Sequence, residues 1–359
     1  MSSVVAELAK RGHEVHVFAH EWDTTANVNG VDVHRVPMSA LFSFTRASSF
    51  AKNCREMLAS EKFDVVFSFE RTLQQDVYRA GDGCHREWLE QRKKFASAFK
   101  KLTMPLNPLH KVLLSLERKV FSPQNTKLVV ANSHRGKTEI VRHYKFPAAN
   151  IRVIYNGVDS EKFSPDCRDK FRKATREKFG IGETDFVAVF VGSGWERKGL
   201  AFAIRAVAKM ESGGRKGVLL VVGRDSREGK YRGQAQQLGV SDRVLFAGTT
   251  KEIEQFYGAG DVLLLPTIYE PFSNVCLEAM ASGLPVITSR ANGVAELIAN
   301  NVNGGVVENP ADWEAIAKWL KFFRETDLMA AGKRARDVAR SLPLQQAVTE
   351  TLEVLEAAN

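Results

Sequence analysis

Two glutamates, Glu270 and Glu278, stand with seven residues between them in the segment PTIYEPFSNVCLEAMASGLPV. The pattern predicts a loop that carries Glu270 after a buried strand, and then a helix capped at Ser273 or Asn274 and closed by Gly283. Carboxylates at a strand end accept hydrogen bonds from sugar hydroxyls, and the amides of a helix N-terminus bind phosphate. The alternative, a solvated loop residue and a helix-surface charge, is the commoner fate of two isolated glutamates and stays open.

A second segment, FVGSGWERKGL, combines glycines with two basic residues after another apolar strand. Gly192 lets the backbone approach a phosphate, and the helix predicted over 200–210 offers unpaired amides at its start. Arg197 and Lys198 add positive charge, so the segment predicts a seat for a diphosphate. It matches neither the dinucleotide fingerprint nor the P-loop, whose third glycine and lysine are missing at the required spacing. A tight turn with a solvated basic face is the alternative.

Short apolar runs alternate with helical stretches along most of the chain, which is typical of parallel sheets covered by helices on both faces. The 359 residues exceed the usual size of one hydrophobic core, so we expect an α/β protein of two doubly wound domains. A turn and a proline in YNGVDSEKFSPD favour a boundary in that segment. The predicted parts are 1–160, 161–340 and a C-terminal helix over 341–359 that packs back towards the first domain.

Together these motifs resemble the family of retaining GT-B glycosyltransferases, which includes sucrose synthases and lipopolysaccharide-core glucosyltransferases. The strings VGSGWERKG and EPFSNVCLEAMASGLPVI and the Ala-Glu-Leu at 295–297 follow the family's order, and the resemblance covers almost the whole chain. It implies a GT-B fold, in which two Rossmann-like domains face a cleft, and transfer with retention of anomeric configuration. We expect no metal and no cofactor, because Arg197, Lys198 and a helix N-terminus can neutralise a diphosphate and no Asp-x-Asp motif lies beside them.

The resemblance also implies roles for individual residues. Glu270 is expected to contact the donor sugar, and Glu278 the ribose of the nucleotide. Arg197 and Lys198 match a clamp on the diphosphate, 272–275 match the turn that covers the phosphates, and the strand end at Arg224 matches the wall of the nucleobase pocket. The complete set expected to bind the donor is Gly192, Arg197, Lys198, Arg224, Phe272, Ser273, Asn274, Val275 and Glu278.

In the first half, DVYRAGDGCHREW resembles the stretch that enters the active site in the lipopolysaccharide-core branch of the family. Asp82 occupies the position where many relatives carry a histidine, with His85 nearby. A carboxylate there would steady positive charge developing at the reducing carbon of the donor or orient the acceptor hydroxyl. Asp82 is therefore predicted to be catalytic together with Glu270. A plain turn residue in an Asp-Gly dipeptide is the equal alternative.

Positive charge is concentrated between Arg86 and Lys119, where nine Lys or Arg stand against three Glu, a net of +6 out of the chain's +9. Apolar side chains interleave with these charges, as in an amphipathic helix that lies on an anionic membrane. The residues expected at such a surface are Trp88, Lys93, Lys94, Phe99, Lys100 and Lys101. The alternative is a solvated helix with one core-facing stripe. No recognition motif accompanies the charge, so no nucleic-acid partner is expected.

The resemblance implies UDP-glucose as the expected donor and an inner-core sugar of lipopolysaccharide as the acceptor. No apolar run reaches the roughly 20 residues of a membrane span, so we expect a cytoplasmic protein that is peripheral on the inner membrane. Relatives carry a strand and a glycine-rich loop ahead of the helix that matches 4–10, and this sequence starts at that helix. We expect sheet edges to be left unpaired in consequence. Two alternatives stay open: an inactive binding protein and a nucleotide-sugar epimerase on the same fold.

Overall fold

The structure is a computed structural model that describes residues 2–22, 30–39, 41–210 and 216–359. The chain forms two compact units. The first consists of Met1–Tyr155 with Gln345–Asn359, and the second of Asn156–Leu344. Each unit is an α/β structure whose described strands run parallel.

The described strands of the first unit form two separate sheets. Its strands are β1 (Val15–Ala19), β2 (Val31–Arg35), β3 (Phe67–Ser68), β4 (Val77–Ala80), β5 (Leu128–Ala131) and β6 (Ile151–Val153). β1 pairs with β2, and the others form a sheet in the order β3-β4-β5-β6. Its helices before the second unit are α1 (Ser2–Lys10), α2 (Ser43–Leu58), α3 (His85–Phe95), α4 (Ala98–Thr103), α5 (Pro108–Val120) and α6 (His134–Tyr144).

The second unit is built on one sheet with the strand order β12-β11-β10-β7-β8-β9. Its strands are β7 (Phe186–Val191), β8 (Gly217–Val222), β9 (Val244–Gly248), β10 (Val262–Leu265), β11 (Val286–Ser289) and β12 (Gly304–Val307). Its helices are α7 (Asp166–Lys178), α8 (Trp195–Lys198), α9 (Leu200–Lys209), α10 (Glu228–Gln237), α11 (Glu254–Ala259), α12 (Asn274–Ala281), α13 (Trp313–Glu325) and α14 (Leu328–Arg340). The last helix of the chain is α15 (Leu344–Ala358), which lies in the first unit from Gln345 onward.

Strands of both units alternate their side chains between two helical layers. In the first unit, Val77 of β4 and Val130 of β5 pack with Val4 of α1 and Leu352 of α15. The neighbouring residues Tyr78 and Val129 face the other way and pack with residues of α5 and α6. In the second unit every residue of β7, β8 and β10 is buried. These strands therefore read as continuous apolar runs because both of their faces are covered.

A buried carboxylate ties α7 to the sheet of the second unit. Asp261 immediately precedes β10 and accepts hydrogen bonds from the guanidinium groups of Arg172, at 2.8 Å, and Arg176, at 2.9 Å. Its Oδ2 also accepts the Val187 amide at 2.8 Å. A charge this deeply buried is tolerated when several donors satisfy it. This network lies at the amino ends of β7 and β10, opposite the edge where their following loops meet.

Candidate functional site

The carboxyl ends of four neighbouring strands meet at one edge of the second sheet. Their order is β11-β10-β7-β8, and all four run parallel. The segments that follow them therefore lie side by side: 192–199, 223–227, 266–273 and 290–292. Ligands of open α/β sheets bind at this edge. The residues predicted to contact a donor in this half of the chain lie in these segments or in α12, which follows one of them.

Glycine is required at three close approaches in this edge. A Cβ on Gly192, whose φ is +121°, would lie 2.6 Å from Cε of Lys198. One on Gly223 would lie 2.3 Å from the carbonyl oxygen of Gly192, and one on Gly199 would lie 1.9 Å from that of Pro266. Real Cβ atoms do not approach so closely, and Gly199 also has a φ of +80° that side chains rarely adopt. The helix predicted over 200–210 is α9, and Gly199 separates it from the short helix α8 that precedes it.

Trp195 anchors the turn between β7 and α8. Its ring is fully buried, and its Nε1 donates a 2.8 Å hydrogen bond to the carbonyl oxygen of Gly192. Its backbone amide donates to Asp225 Oδ2 at 2.9 Å, and its ring packs edge-on against Tyr231 and obliquely against Phe246. The sequence interpretation did not include Trp195. The sequence did contain a signal for a buried anchor here, because a tryptophan lies inside a glycine-rich turn, where side chains are usually exposed to solvent.

Glu270 lies between the two basic residues of the other loop. Arg197 Nη1 donates to its Oε2 at 2.7 Å, and Lys198 Nζ lies 3.5 Å from the same oxygen. The Glu270 backbone is held as well, because its amide donates to Ala291 and its carbonyl accepts from Gly293. Glu270 is 9% exposed. The structure thus brings together the three residues predicted to contact the sugar and the diphosphate, as a buried carboxylate between two cations.

The first turn of α12 stands beside this cluster. Ser273 is its N-cap residue, but its side chain accepts no hydrogen bond from the helix. Its Oγ is buried without a hydrogen-bond partner among the residues that the structure describes. Phe272 is buried, whereas Asn274 is exposed and accepts a 2.6 Å hydrogen bond from Asn156. Val275 is half-buried. A helix N-terminus with an unused hydroxyl offers donors for an anionic oxygen.

Glu278 lies one turn further along α12. Its Oε2 accepts a 2.8 Å hydrogen bond from the hydroxyl of Tyr257, which is fully buried. Burial raises the pKa of Glu278 above its usual value, and the Tyr257 hydrogen bond offsets this only in part. Burial and the neighbouring carboxylate raise the pKa of Tyr257 well above its usual value, so this hydroxyl stays protonated and donates. The orientation of Glu278 is therefore set by α11.

The strand end at β8 presents Arg224 and Asp225. Arg224 is exposed, and its neighbour Asp225 is half-buried. Burial raises the pKa of Asp225, but hydrogen bonds from the amides of Arg227 and Trp195 outweigh it and hold the pKa below its usual value. Asp225 thus links the segment after β8 to the glycine-rich turn after β7. The wall predicted for a nucleobase pocket is held by this carboxylate.

Asp82 belongs to the first unit and lies just after β4. Its side chain is 73% exposed, and its Oδ2 lies 3.6 Å from Nη1 of Arg71. Arg71 is largely buried and also donates to the carbonyl oxygen of Gly83 at 3.1 Å. This position fits both alternatives for Asp82, a plain turn residue in an Asp-Gly dipeptide and an exposed catalytic carboxylate. The sequence analysis did not single out Arg71, which holds this turn through its hydrogen bond to the Gly83 carbonyl.

A second buried residue, Glu117 of α5, fixes the helix that follows Asp82. Its carboxylate accepts the amides of His85, at 2.6 Å, and Arg86, at 3.1 Å, which are the first two residues of α3. It also accepts a hydrogen bond from the hydroxyl of Tyr144 and lies 3.5 Å from Arg71. Glu117 is fully buried. The N-terminus of α3 is therefore capped by a carboxylate from another helix, which no local sequence pattern could have predicted.

Burial and the charge of Arg71 lower the pKa of His85 to about 3. The imidazole is therefore neutral at neutral pH, and its Nε2 lies 3.1 Å from Nδ1 of His110. Of Asp82 and His85, the two side chains noted in this segment, only Asp82 is exposed. His85 is part of the packing between α3 and α5.

The basic segment between Arg86 and Lys119 differs from the predicted single amphipathic stretch. It consists of α3, α4, a 3₁₀ turn over Met104–Leu106 and α5. The segment is also not uniformly basic, because two of its acidic residues, Glu87 and Glu117, are buried. Breaks at Ala96 and Asn107 divide it, since the backbone of both residues is extended there.

The residues predicted for a membrane surface separate into two groups in this segment. Phe99 is 77% exposed, and Leu102 and Leu106 beside it are 75% and 69% exposed. Of the predicted lysines, Lys93, Lys94 and Lys101 are exposed and Lys100 is half-buried. Trp88 is half-buried, with the guanidinium carbon of Arg92 5.5 Å from its ring centroid. The exposed apolar patch therefore lies on α4 and the turn after it, and Trp88 does not belong to it.

Two groups within the described residues place possible metal-binding atoms within 4.8 Å of one another: Glu14, His16 and Asp32, and Glu87, Glu90 and His143. Glu87 is already neutralised, because Arg142 and Arg135 both pair with it. The other group is largely exposed. Neither group includes a residue predicted to bind the donor.

Comparison with known proteins identifies the class of protein to which this fold belongs. The family described as Glycosyltransferase Family 4 matches residues 2–162, and the family described as Glycosyl transferases group 1 matches residues 171–338. The two matches fall on the two units. The chain therefore belongs to the GT-B glycosyltransferases, with two Rossmann-like domains. The predicted fold and the predicted enzyme class, a hexosyltransferase, are confirmed.

Among individual relatives, the chain is 26% identical to the lipopolysaccharide glucosyltransferase WaaG of Escherichia coli, over 89% of this chain and 83% of that protein. It is 28% identical to an uncharacterized glycosyltransferase of Methanocaldococcus jannaschii, over 83% of this chain and 77% of that protein. A crystal structure of WaaG, a glycosyltransferase involved in lipopolysaccharide biosynthesis, superposes with a TM-score of 0.83 at 26% identity, over 98% of this chain and 94% of that one.

Within the described part of the chain, no helix is both long and apolar enough to cross a membrane.

Proposed function

We propose that the protein transfers glucose from UDP-glucose to an inner-core sugar of lipopolysaccharide with retention of anomeric configuration. The observation that carries the proposal is the buried Glu270 carboxylate held between Arg197 and Lys198 beside the N-terminus of α12. This arrangement has one anionic acceptor for sugar hydroxyls and a set of cationic and amide donors for a diphosphate. The similarity to a lipopolysaccharide glucosyltransferase supports the choice of sugar and acceptor.

On this proposal Arg197 and Lys198 exchange partners when the donor binds. In the structure both face Glu270, and a diphosphate would take over part of that interaction. Glu270 would then accept hydrogen bonds from hydroxyls of the transferred sugar, while amides of the first turn of α12 and Ser273 Oγ donate to the phosphate oxygens. Glu278 would accept a ribose hydroxyl through the oxygen that Tyr257 does not use. These interactions hold the reducing carbon in place for attack.

Asp82 is proposed to act on the acceptor side. An exposed carboxylate can orient an acceptor hydroxyl or steady positive charge on the sugar ring. Arg71 and Glu117 act as positioning residues for it, because they hold the turn and the first amides of α3. Neutral His85 is not a proton donor in this scheme.

We further propose that the protein is cytoplasmic and peripheral on an anionic inner membrane, with α4 and the turn after it in contact with lipid. Phe99, Leu102 and Leu106 would enter the boundary between headgroups and acyl chains. Exposed lysines of α3 and α4 would face the anionic headgroups. The lipid-linked acceptor would thereby meet the enzyme at the surface where it resides.

The deciding experiment incubates the protein with UDP-glucose, with and without a lipopolysaccharide inner-core acceptor, and follows products by mass and by the anomeric NMR coupling. An α-linked glucose on the acceptor is the expected product. A changed sugar in the absence of acceptor would instead identify an epimerase, and UDP binding without any product would identify a binding protein. Parallel incubations with UDP-galactose, UDP-N-acetylglucosamine and GDP-mannose test the donor.

A further inference from the structure

Two neighbouring strands of the first unit carry the same tripeptide pattern, an acidic residue, a valine and a histidine. The pattern occurs as Glu14-Val-His16 at the start of β1 and as Asp32-Val-His34 in β2. The two strands run parallel, with His16 opposite Asp32. Because side chains alternate along a strand, the two acidic residues and the two histidines lie on one face of this two-stranded sheet.

His16 lies at the centre of this group. Its Nε2 lies 3.1 Å from Oε1 of Glu14, and its Nδ1 lies 2.8 Å from Nε2 of His34. Glu14, His16 and Asp32 each place one possible ligand atom within 4.8 Å of the others. Two ligands of a tetrahedral zinc ion, with bonds of about 2.0–2.1 Å, stand about 3.3 Å apart. An ion therefore fits between these atoms after small rotations of the carboxylates.

Packing holds the two imidazoles, whereas the carboxylates lie at the surface. The His34 ring stacks on Phe18 with 4.5 Å between the centroids and 11° between the planes. His16 meets the edge of Phe63 at a centroid distance of 5.3 Å. The side chain of His16 is 16% exposed and that of Glu14 is 82% exposed. A ligand that is already ordered loses little freedom on binding, and an exposed carboxylate can close on the ion.

We propose that Glu14, His16 and Asp32 form a binding site for one divalent transition-metal ion, represented by Zn²⁺, which joins β1 to β2. One imidazole and two carboxylates, completed by water, suit such an ion, whereas Mg²⁺ and Ca²⁺ prefer oxygen ligands alone. The ion would compensate the two carboxylates. The site lies in the first unit and is not part of the donor site proposed above, whose diphosphate-binding residues belong to the second unit.

His34 is a positioning residue for this ion. An imidazole that binds a metal through one nitrogen usually donates the N–H of the other nitrogen to a fixed acceptor. With Nε2 of His34 as that acceptor, His16 carries its proton on Nδ1 and presents the lone pair of Nε2 to the metal. The stack on Phe18 keeps the acceptor in place.

The test titrates the full chain, free of any histidine tag, with ZnCl₂ and measures binding by calorimetry and Tm by thermal unfolding. One Zn²⁺ per chain is expected, and Tm should rise with the logarithm of free zinc because the ion stabilises the folded state. Glu14→Gln and Asp32→Asn should each weaken zinc binding by about tenfold or more, at least as much as loss of an outer partner does. Both residues are exposed, so Tm without zinc should change little.

The other group of possible ligands, Glu87, Glu90 and His143, supplies a matched control. Glu90→Gln removes a carboxylate that is 46% exposed from that group and should leave zinc affinity unchanged. Two variants test His34. His34→Phe keeps a ring against Phe18 without an acceptor and should weaken zinc binding by about tenfold, whereas His34→Gln keeps an acceptor and should restore most of the affinity.

Three results would contradict the proposal. A chain that binds no zinc, or one whose zinc binding neither Glu14→Gln nor Asp32→Asn weakens, would overturn the site. An equal loss in Glu90→Gln would show unspecific attraction to carboxylates and would overturn it as well. Equal losses in His34→Phe and His34→Gln would overturn the positioning role of His34.

Discussion

Arg197 Nη1 donates a hydrogen bond of 2.7 Å to Oε2 of Glu270, although the two residues are 73 positions apart in the chain. Lys198 reaches the same oxygen at 3.5 Å. The cations proposed to hold a diphosphate are thus already compensated by the carboxylate proposed to hold the sugar. Buried charges are tolerated only with such partners, and this pairing keeps the basic side chains near their working positions in the absence of ligand.

Replacing Glu270 by glutamine should separate catalysis from nucleotide binding. Turnover should fall by about 10²-fold or more, because the group that positions the reacting sugar loses its charge. Affinity for free UDP should stay the same or rise, since Arg197 and Lys198 lose a competing carboxylate. The measurements are kcat and calorimetric binding of UDP. Glu308→Gln, at an exposed ion pair with Arg290, is the matched control. Near-normal turnover in Glu270→Gln would remove it from the catalytic group.

Replacing Lys198 by methionine should weaken UDP binding by about 1.5–3 kcal/mol, the range for a hydrogen bond to a charged group. Methionine keeps most of the aliphatic volume of a side chain that is 8% exposed, so folding should be little changed. Lys216→Met, which breaks a surface ion pair with Asp242 instead, should leave UDP binding unchanged. Equal affinities of the two variants for UDP would show that Lys198 does not contact the phosphates.

Glu278 should make stability depend on pH in a defined direction. Its folded pKa is raised by burial, so its favourable contribution is present below the unfolded pKa of about 4.5 and is lost as pH rises through the folded value. Glutamine at 278 cannot ionise and still accepts the Tyr257 hydrogen bond. The Tm of Glu278→Gln relative to wild type should therefore rise between about pH 4 and pH 8. A difference that falls with pH over this interval would contradict the raised pKa.

Glu117→Gln should destabilise the protein by about 3–5 kcal/mol, the range for breaking a buried charged network by removing one partner. Glutamine accepts fewer hydrogen bonds from the amides of α3 and leaves Arg71 without its buried carboxylate. Urea unfolding of the variant gives the change in free energy. Glu90→Gln, whose side chain is 46% exposed, should cost about 1 kcal/mol or less. Equal effects of the two substitutions would place Glu117 outside the network.

A positioning role for Glu117 makes a separate prediction about activity. Under conditions where Glu117→Gln remains folded, kcat should fall while affinity for UDP is kept, because the turn at Asp82 is loosened and the second unit is not. A parallel loss of UDP affinity would point to general unfolding instead. Measurement of kcat and UDP binding on the same sample distinguishes the two.

The exposed patch on α4 should direct binding to anionic vesicles. Phe99→Ser with Leu102→Ser should reduce sedimentation with anionic vesicles, because only a bilayer offers an apolar layer for these side chains. Met329→Ser, at a residue that is 67% exposed in the other unit, is the matched control. Removing the charges of Lys93, Lys94, Lys100 and Lys101 should also release the protein, at roughly 1 kcal/mol for each charge near the surface. Sedimentation with anionic vesicles that the α4 substitutions do not change, or no sedimentation with any vesicle, would leave α4 as a solvated helix.

The fold class, and the sheet edge that holds the candidate site, could be predicted from the sequence alone. Continuous apolar runs such as β7 and β10 require two covered faces, and that requirement is local to each strand. Gly192 and the Ser273 helix start could be placed because glycine conformations and helix caps are set by neighbouring residues. The roles proposed for Glu270, Glu278 and Asp82 stay predictions.

Tertiary structure decided which distant groups meet. Glu117 caps α3 across 32 positions and Tyr257 orients Glu278 across 21, and neither pairing leaves a periodic trace in the sequence. Whether Trp88 or Phe99 would be exposed depended on how a basic stretch divides into helices and which face each one packs. Spacing along the chain determines local conformation, whereas these contacts depend on packing between elements that the chain brings together from far apart.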